Sequence, residues 1–219
     1  WMHNHPGEQV VAVNHASGGY FSAIRADLLR GTSQSDPLGS RLLEIEGATP
    51  EDTGLWSEGF TAMEIYNGFG MSNFHKLFRA WLTLVGRVFT PTATAVSDTH
   101  KLYSSIAGGP RSYVYMGGEG RPTLDEEAFA QAVNRGQLSG SNGPLLTAFA
   151  SLTPPSDQGG AESAAQVSLG ETLSILEPLQ AAQDAGSGGD TVDVYVTIEA
   201  RCPDWMTLTE AQIFVNIDQ

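Results

Sequence analysis

Thr94-Ala95-Val96-Ser97-Asp98-Thr99-His100 closes a short β-branched run, Thr92 to Val96, on a turn that carries a carboxylate and an imidazole. Read outward in both directions, the same construction recurs. Gln9 to Val13 ends in Asn14-His15, Phe60 to Tyr66 ends in Asn67-Gly68, and Ser112 to Met116 ends in Gly117-Gly118. Helical patterns lie between these runs. Tyr20 to Leu29 places apolar residues at Tyr20, Phe21, Ile24 and Leu28, close to a 3.6-residue period. Asn73 to Val88 is the strongest, with Phe74, Leu77, Phe78, Trp81, Leu82 and Val85 on one wide face, Ser72 or Asn73 as cap and Gly86 near its end. Leu124 to Asn134 has Thr123 as expected N-cap, Asp125, Glu126 and Glu127 in its first turn, and Gly136 beyond its end. Strands alternating with helices predict an α/β fold with a mostly parallel sheet or barrel.

After Asn142 the pattern changes. Leu145 to Ala150, Val167 to Leu169, Val192 to Ala200 and Ala211 to Ile217 read as strands with no convincing amphipathic helix between them. Loop compositions at 154–160 and 184–190 separate them. The expected organisation is therefore an α/β region over 1–141 and a small antiparallel β domain, sandwich-like, over 142–219.

Composition narrows the function classes. The chain has 219 residues, of which 41% are apolar, so it can bury a core and does not read as disordered. Asp plus Glu number 25 against 11 Lys plus Arg, a net charge of −14; such a surface repels phosphate backbones and disfavours nucleic-acid or anionic-membrane partners. The most apolar stretch, Trp81 to Phe89, is interrupted by Thr83, Gly86 and Arg87 and is too short for a membrane helix. The single cysteine, Cys202, has no partner within the chain for a disulfide and rules out a Cys-based zinc site. A start at Trp1, and an end soon after an apolar run, lead to the expectation of a piece of a longer protein. The low charged fraction of 16%, with abundant Gly, Ser, Thr and Ala, gives an exported character.

In parallel βα architectures ligands gather at the carboxyl ends of the strands. There the sequence offers His15, Asn67, Asp98 and His100. Two imidazoles and a carboxylate suit zinc, manganese or iron. Such an ion lowers the pKa of a bound water and supplies hydroxide as a nucleophile. The alternative reading makes His15 a capping or buried hydrogen-bonded imidazole and Asp98 a turn carboxylate. Arg111, after the Gly108-Gly109-Pro110 turn, is a candidate for orienting an anionic substrate group. His3-Asn4-His5 has the letters of a ligand pair but reads as a solvated terminus. His75 reads as a helix-surface residue, and Glu44 and Glu46 as charges on a solvated strand. Asp184, Asp190 and Asp193 raise a weaker calcium or carbohydrate reading. Ser17-Gly18-Gly19 is too short for a phosphate loop, and no G-x-S-x-G nucleophile elbow is present.

The order of these motifs resembles the later half of a PHP (polymerase and histidinol phosphatase) domain, over about Val10 to Leu146, and within that superfamily the CehA/McbA-like metallohydrolases. The segments that carry the resemblance are Val11-Ala12-Val13-Asn14-His15, Phe60 to Gly68, the helix around Trp81-Leu82, Thr94 to His100, Gly109-Pro110-Arg111-Ser112-Tyr113-Val114, and Arg135-Gly136 leading to Asn142-Gly143-Pro144. The resemblance implies the C-terminal part of a distorted (β/α)7 barrel with an appended β region. It implies metal-dependent hydrolysis of a phosphoester, carbamate or amide bond in a small molecule, with metal-bound hydroxide as nucleophile. It implies His15, Asp98 and His100 as ligands of about one to three ions of zinc, manganese or iron, with Glu64, Asn67 and Arg111 as supporting or substrate-facing groups. The chain departs from the family pattern at Ala16, where a proline usually follows the histidine, and it lacks the early H-x-H, Asp-His and mid-domain Glu and His ligands. A half barrel would expose strand edges, so the resemblance also implies a further N-terminal segment or another chain that completes the barrel. The alternative function is a catalytically incomplete binding or structural module of an exported protein.

Overall fold

The computed structural model describes residues 9–16, 59–68, 70–86, 89–101, 103, 107–117, 123–155, 166–184 and 191–214. The expected helix over 20–29, His3, His5, Ser17, Glu44, Glu46 and Asp190 lie outside these residues.

Strand β2 (Ala62–Asn67) is buried along nearly its whole length. It has that burial because it is the middle strand of a three-stranded sheet, flanked by β1 (Ala12–Val13) and β3 (Thr92–Val96). Both neighbours run parallel to it, Ala12 opposite Ala62 and Ala62 opposite Thr92. Strands of a parallel sheet covered on both faces read as apolar runs rather than alternations, as Ala-Met-Glu-Ile-Tyr does apart from its glutamate. The ladder with β3 slips between Glu64 and Tyr66, where β2 carries an extra residue; such bulges bend a strand and re-aim the side chains that follow.

Helix α1 (Met71–Val85) returns from β2 to β3 and packs on β2. Its buried stripe is Leu77, Ala80 and Leu84, which meets Met63, Phe60 and Ala16 with Val11, Val13 and Ile65 alongside. Phe78, Trp81 and Val85 of the expected face are only half-buried. Full burial of Met63, Leu77 and Leu84 stabilises the layer by about 1.5–3 kcal/mol each. The helix starts earlier than the sequence predicts: Gly70 holds the N-cap position, and Ser72 and Asn73 lie inside the first turn. Gly86 holds the C-cap position, close to where it was expected.

Strand β4 (Arg111–Val114) pairs antiparallel with β5 (Leu138–Ser141), and helix α2 (Glu126–Asn134) precedes β5. Asp125, not Thr123, caps α2, accepting from the Ala128 N–H at 3.0 Å. β5 was not expected from sequence because Leu-Ser-Gly-Ser has only one apolar residue; pairing with β4 makes it a strand. The ribbon closes on β3 at Ala95. Ser112 Oγ accepts from the Ala95 N–H at 3.0 Å and donates to the Ala95 carbonyl at 3.0 Å, so one hydroxyl occupies the place of a ladder partner. A Cβ on Gly140 would stand 2.9 Å from that of Ala95, so only glycine permits this approach. Gly136 lies near Thr92 and Gly140 near Ala95, so β5 ascends beside β3 in the same direction. A second small core, Ala62, Val133 and Leu138 with Val10 and Val114, sits under the ribbon.

The chain then forms an antiparallel sheet of order β7-β6-β8: β6 (Leu145–Ser151) between β7 (Gln166–Ser168) and β8 (Tyr195–Arg201). Tyr115 Oη donates to the Leu146 carbonyl and lies 3.1 Å from Ser139 Oγ, which ties β6 to the ribbon. Two expectations for this region fail. A helix, α3 (Leu176–Asp184), does occur between β7 and β8. Its pattern is weak because it lies on the surface, and Pro178 sits in its first turn, where a missing N–H costs nothing. The described part of the expected strand over 211–217, residues 211–214, pairs with no strand. No helix among the described residues is long and apolar enough to cross a membrane.

Candidate functional site

The parallel strands end at one edge of the sheet, and there the candidate residues meet. His15 stands two residues beyond β1 and Asp98 two residues beyond β3. Among the described residues these are the two non-glycine positions of positive φ, at 50° and 51°. A non-glycine residue pays for that left-handed backbone with about 1–2 kcal/mol, and such strain concentrates at functional sites.

Asp98 is the centre of the group. Its Oδ1 lies 2.9 Å from His100 Nε2 and 4.0 Å from His15 Nε2. His15 and His100 are exposed, and Asp98 is half-buried. Behind them the Glu64 carboxylate, 3% exposed, takes two hydrogen bonds on one oxygen. The His15 backbone N–H donates to Glu64 Oε1 at 3.0 Å and Asn67 Nδ2 donates to the same atom at 2.8 Å. The Gly68 N–H, donating to the Val96 carbonyl at 3.0 Å, joins the ends of β2 and β3 below the Asp98 turn. A buried carboxylate is stable only when its oxygens are well partnered, and these two donors come from the residues flanking the site.

Arg111 is occupied in its own turn. Nε donates to Tyr113 Oη at 2.6 Å, and Nη1 donates to the carbonyls of Gly108 and Gly109. The guanidinium therefore fastens the Gly108–Pro110 turn onto β4. His75 is exposed on α1, as expected of a helix-surface residue. Asp184 accepts from Gln180 Nε2 at 2.9 Å within α3.

The donors fit a divalent cation in kind: two imidazole nitrogens and one carboxylate oxygen. Two ligands of one tetrahedral ion stand about 3.3 Å apart, between the two distances seen around Asp98. Among the described residues, however, no group of three or more His, Cys, Asp and Glu side chains is gathered closely enough to hold a metal ion unaided. The exposed imidazole of His15 would have to swing inward, and further donors or water would have to complete the shell.

His15, Asn67, Asp98 and His100 were candidates from their place at strand ends and Glu64 from the order of motifs; the structure places them near one another, Asp98 beside His100 and Glu64 beside His15 and Asn67. The bridging role of Ser112 was not read from the sequence. Ser112 gave no signal, because a hydroxyl bridging a neighbouring strand has no pattern in sequence. The chain matches no protein-family model, no curated protein and no solved structure.

Proposed function

We propose that this chain carries part of the active site of a metal-dependent hydrolase acting on a phosphoester, carbamate or amide bond of a small molecule. The observation that carries the reading is the approach of His15 and His100 to Asp98 at the ends of adjacent parallel strands, with His15 and Asp98 both held in left-handed backbone. His15, Asp98 and His100 would hold zinc, manganese or iron. When bound, the ion supplies Lewis-acid activation of water and of the scissile group. Glu64 fixes the backbone of His15, Asn67 fixes Glu64, and Asp98 orients His100. Arg111, at the start of β4 with Nε and Nη1 engaged in its turn, would orient an anionic part of the substrate by its charge or by exchanging one of those bonds. The PHP-type barrel, its completion by a further N-terminal segment or another chain, and an exported location belong to the same proposal.

The test is metal analysis of the chain purified without chelator, beside Asp98→Ala and His100→Ala. The expected result is zinc, manganese or iron near one per chain in the parent and its loss in both variants. Unchanged stoichiometry in the two variants would overturn the assignment. No metal in the parent would mean that these residues do not hold an ion by themselves and that the site needs the segment or chain that completes it.

A further inference from the structure

The segment 202–214 follows β8 and has no regular structure. Its large apolar side chains are mostly in solvent, with Trp205 75% and Phe214 58% exposed, so it is not a core element. It nevertheless touches the rest of the chain at two separate places. At the first, Trp205 and Met206 lie against the turn after β5: a Cβ on Gly143 would stand 2.6 Å from Met206 Cε and 3.7 Å from the Trp205 ring. At the second, the Phe214 ring meets Phe78 of α1 edge-on, with centroids 5.2 Å apart.

Both contacts lead to one residue. From Gly143 the path is one step: the adjacent Asn142 donates through Nδ2 to Tyr66 Oη at 3.3 Å. From Phe214 it runs through stacked rings, Phe78 on Phe74 at 5.5 Å and Phe74 against Tyr66 at 5.2 Å. Tyr66 is 9% exposed and directly precedes Asn67, whose amide holds Glu64 Oε1. It also directly follows the ladder slip in β2. Pairing resumes at Tyr66 and Asn67, so the backbone course of the strand end is set by the ladder, and what the side-chain contacts of Tyr66 add is the aim of the side chains beyond the bulge.

We propose that Tyr66 is a positioning residue: clamped by the 202–214 segment through Asn142 and through the Phe74–Phe78 stack, it aims Asn67 and thereby sets the Glu64 carboxylate that holds His15. The proposal rests on the reading of His15 as a functional residue, but the hydrogen bond that it concerns exists without a metal. The unit that reports it is the His15 backbone amide, which donates to Glu64.

The experiment is amide hydrogen exchange by NMR on the full chain, comparing the parent with Phe214→Ala, Gly143→Ala and Tyr66→Phe. Cobalt(II) titration, followed by visible absorption, is run on the same samples. The His15 amide is expected to exchange about tenfold faster in Phe214→Ala and Gly143→Ala, with Met63 and the α1 amides unchanged. Tyr66→Phe, which keeps the ring stack and loses the Asn142 bond, should fall between. Cobalt(II) affinity should drop about 10–100-fold in the first two variants. Unchanged His15 exchange in all three would overturn the positioning role, whether or not cobalt binds. Faster His15 exchange in the variants, with a parent chain that binds no cobalt, would keep the positioning role and overturn the metal reading. Uniformly faster exchange across β1, β2 and α1 would reduce Tyr66 to ordinary core packing and overturn the proposal as well.

Discussion

The backbone N–H of His15 donates to Glu64 Oε1 at 3.0 Å, joining residues 49 positions apart in the chain. The bond crosses from the end of β1 to the middle of the adjacent strand. It joins a buried carboxylate to one of the two described non-glycine residues held at positive φ.

Glu64 should therefore separate folding from function. Glu64→Ala leaves the His15 N–H and the Asn67 amide without their acceptor in a buried place and is expected to cost about 1–3 kcal/mol. Both donors share one oxygen, so Glu64→Gln keeps a carbonyl oxygen that can accept from both and should cost less while weakening cation binding about tenfold or more. Urea unfolding and metal titration of the two variants check this; equal stability of both with the parent would show that the carboxylate carries no structural share.

His15→Gly should stabilise the chain. The residue sits at φ 50°, its imidazole is largely in solvent, and relief of the left-handed backbone is worth about 1 kcal/mol. Cation binding should be lost at the same time, the exchange of stability for function expected of a strained site. A thermal melt beside a metal titration reads both; a destabilised His15→Gly would mean that the ring is packed in solution.

Ser112→Ala removes the one group that satisfies both the N–H and the carbonyl of Ala95, itself 4% exposed. A loss of about 1–3 kcal/mol is expected, with faster exchange of the Ala95 amide. A neutral substitution would show that water takes over the bridge.

Gly140→Ala forces a Cβ to 2.9 Å from the Ala95 Cβ and should cost about 1–3 kcal/mol. Removing the opposing methyl with Ala95→Gly should recover part of it, a coupling larger than the about 0.5 kcal/mol of independent sites. Strict additivity in urea unfolding would mean that the ribbon and β3 are farther apart than described.

The legible part of this protein was local. Periodicity marked α1, and β-branched runs stopping on polar turns marked β2, β3 and the residues His15, Asp98 and His100. Even there the details moved: the buried stripe of α1 is Leu77, Ala80 and Leu84 rather than the wider aromatic face, and Asp125 replaced Thr123 as the cap of α2. Short segments with one apolar residue, such as Leu138–Ser141, and surface helices such as Leu176–Asp184 were not legible, because partners or solvent rather than pattern decide them.

By itself the sequence determined that strands alternate with helices and that ligand-type side chains stand at strand ends, since both follow from spacing along the chain. The parallel sense of the sheet was expected from that alternation, but tertiary structure alone decided that β2 lies between β1 and β3, that Glu64 reaches His15, that Ser112 closes on Ala95, and that the segment after β8 comes back to Gly143 and Phe78. These contacts join residues far apart in the chain, and a hydrogen bond or ring contact between distant residues leaves no period in either segment.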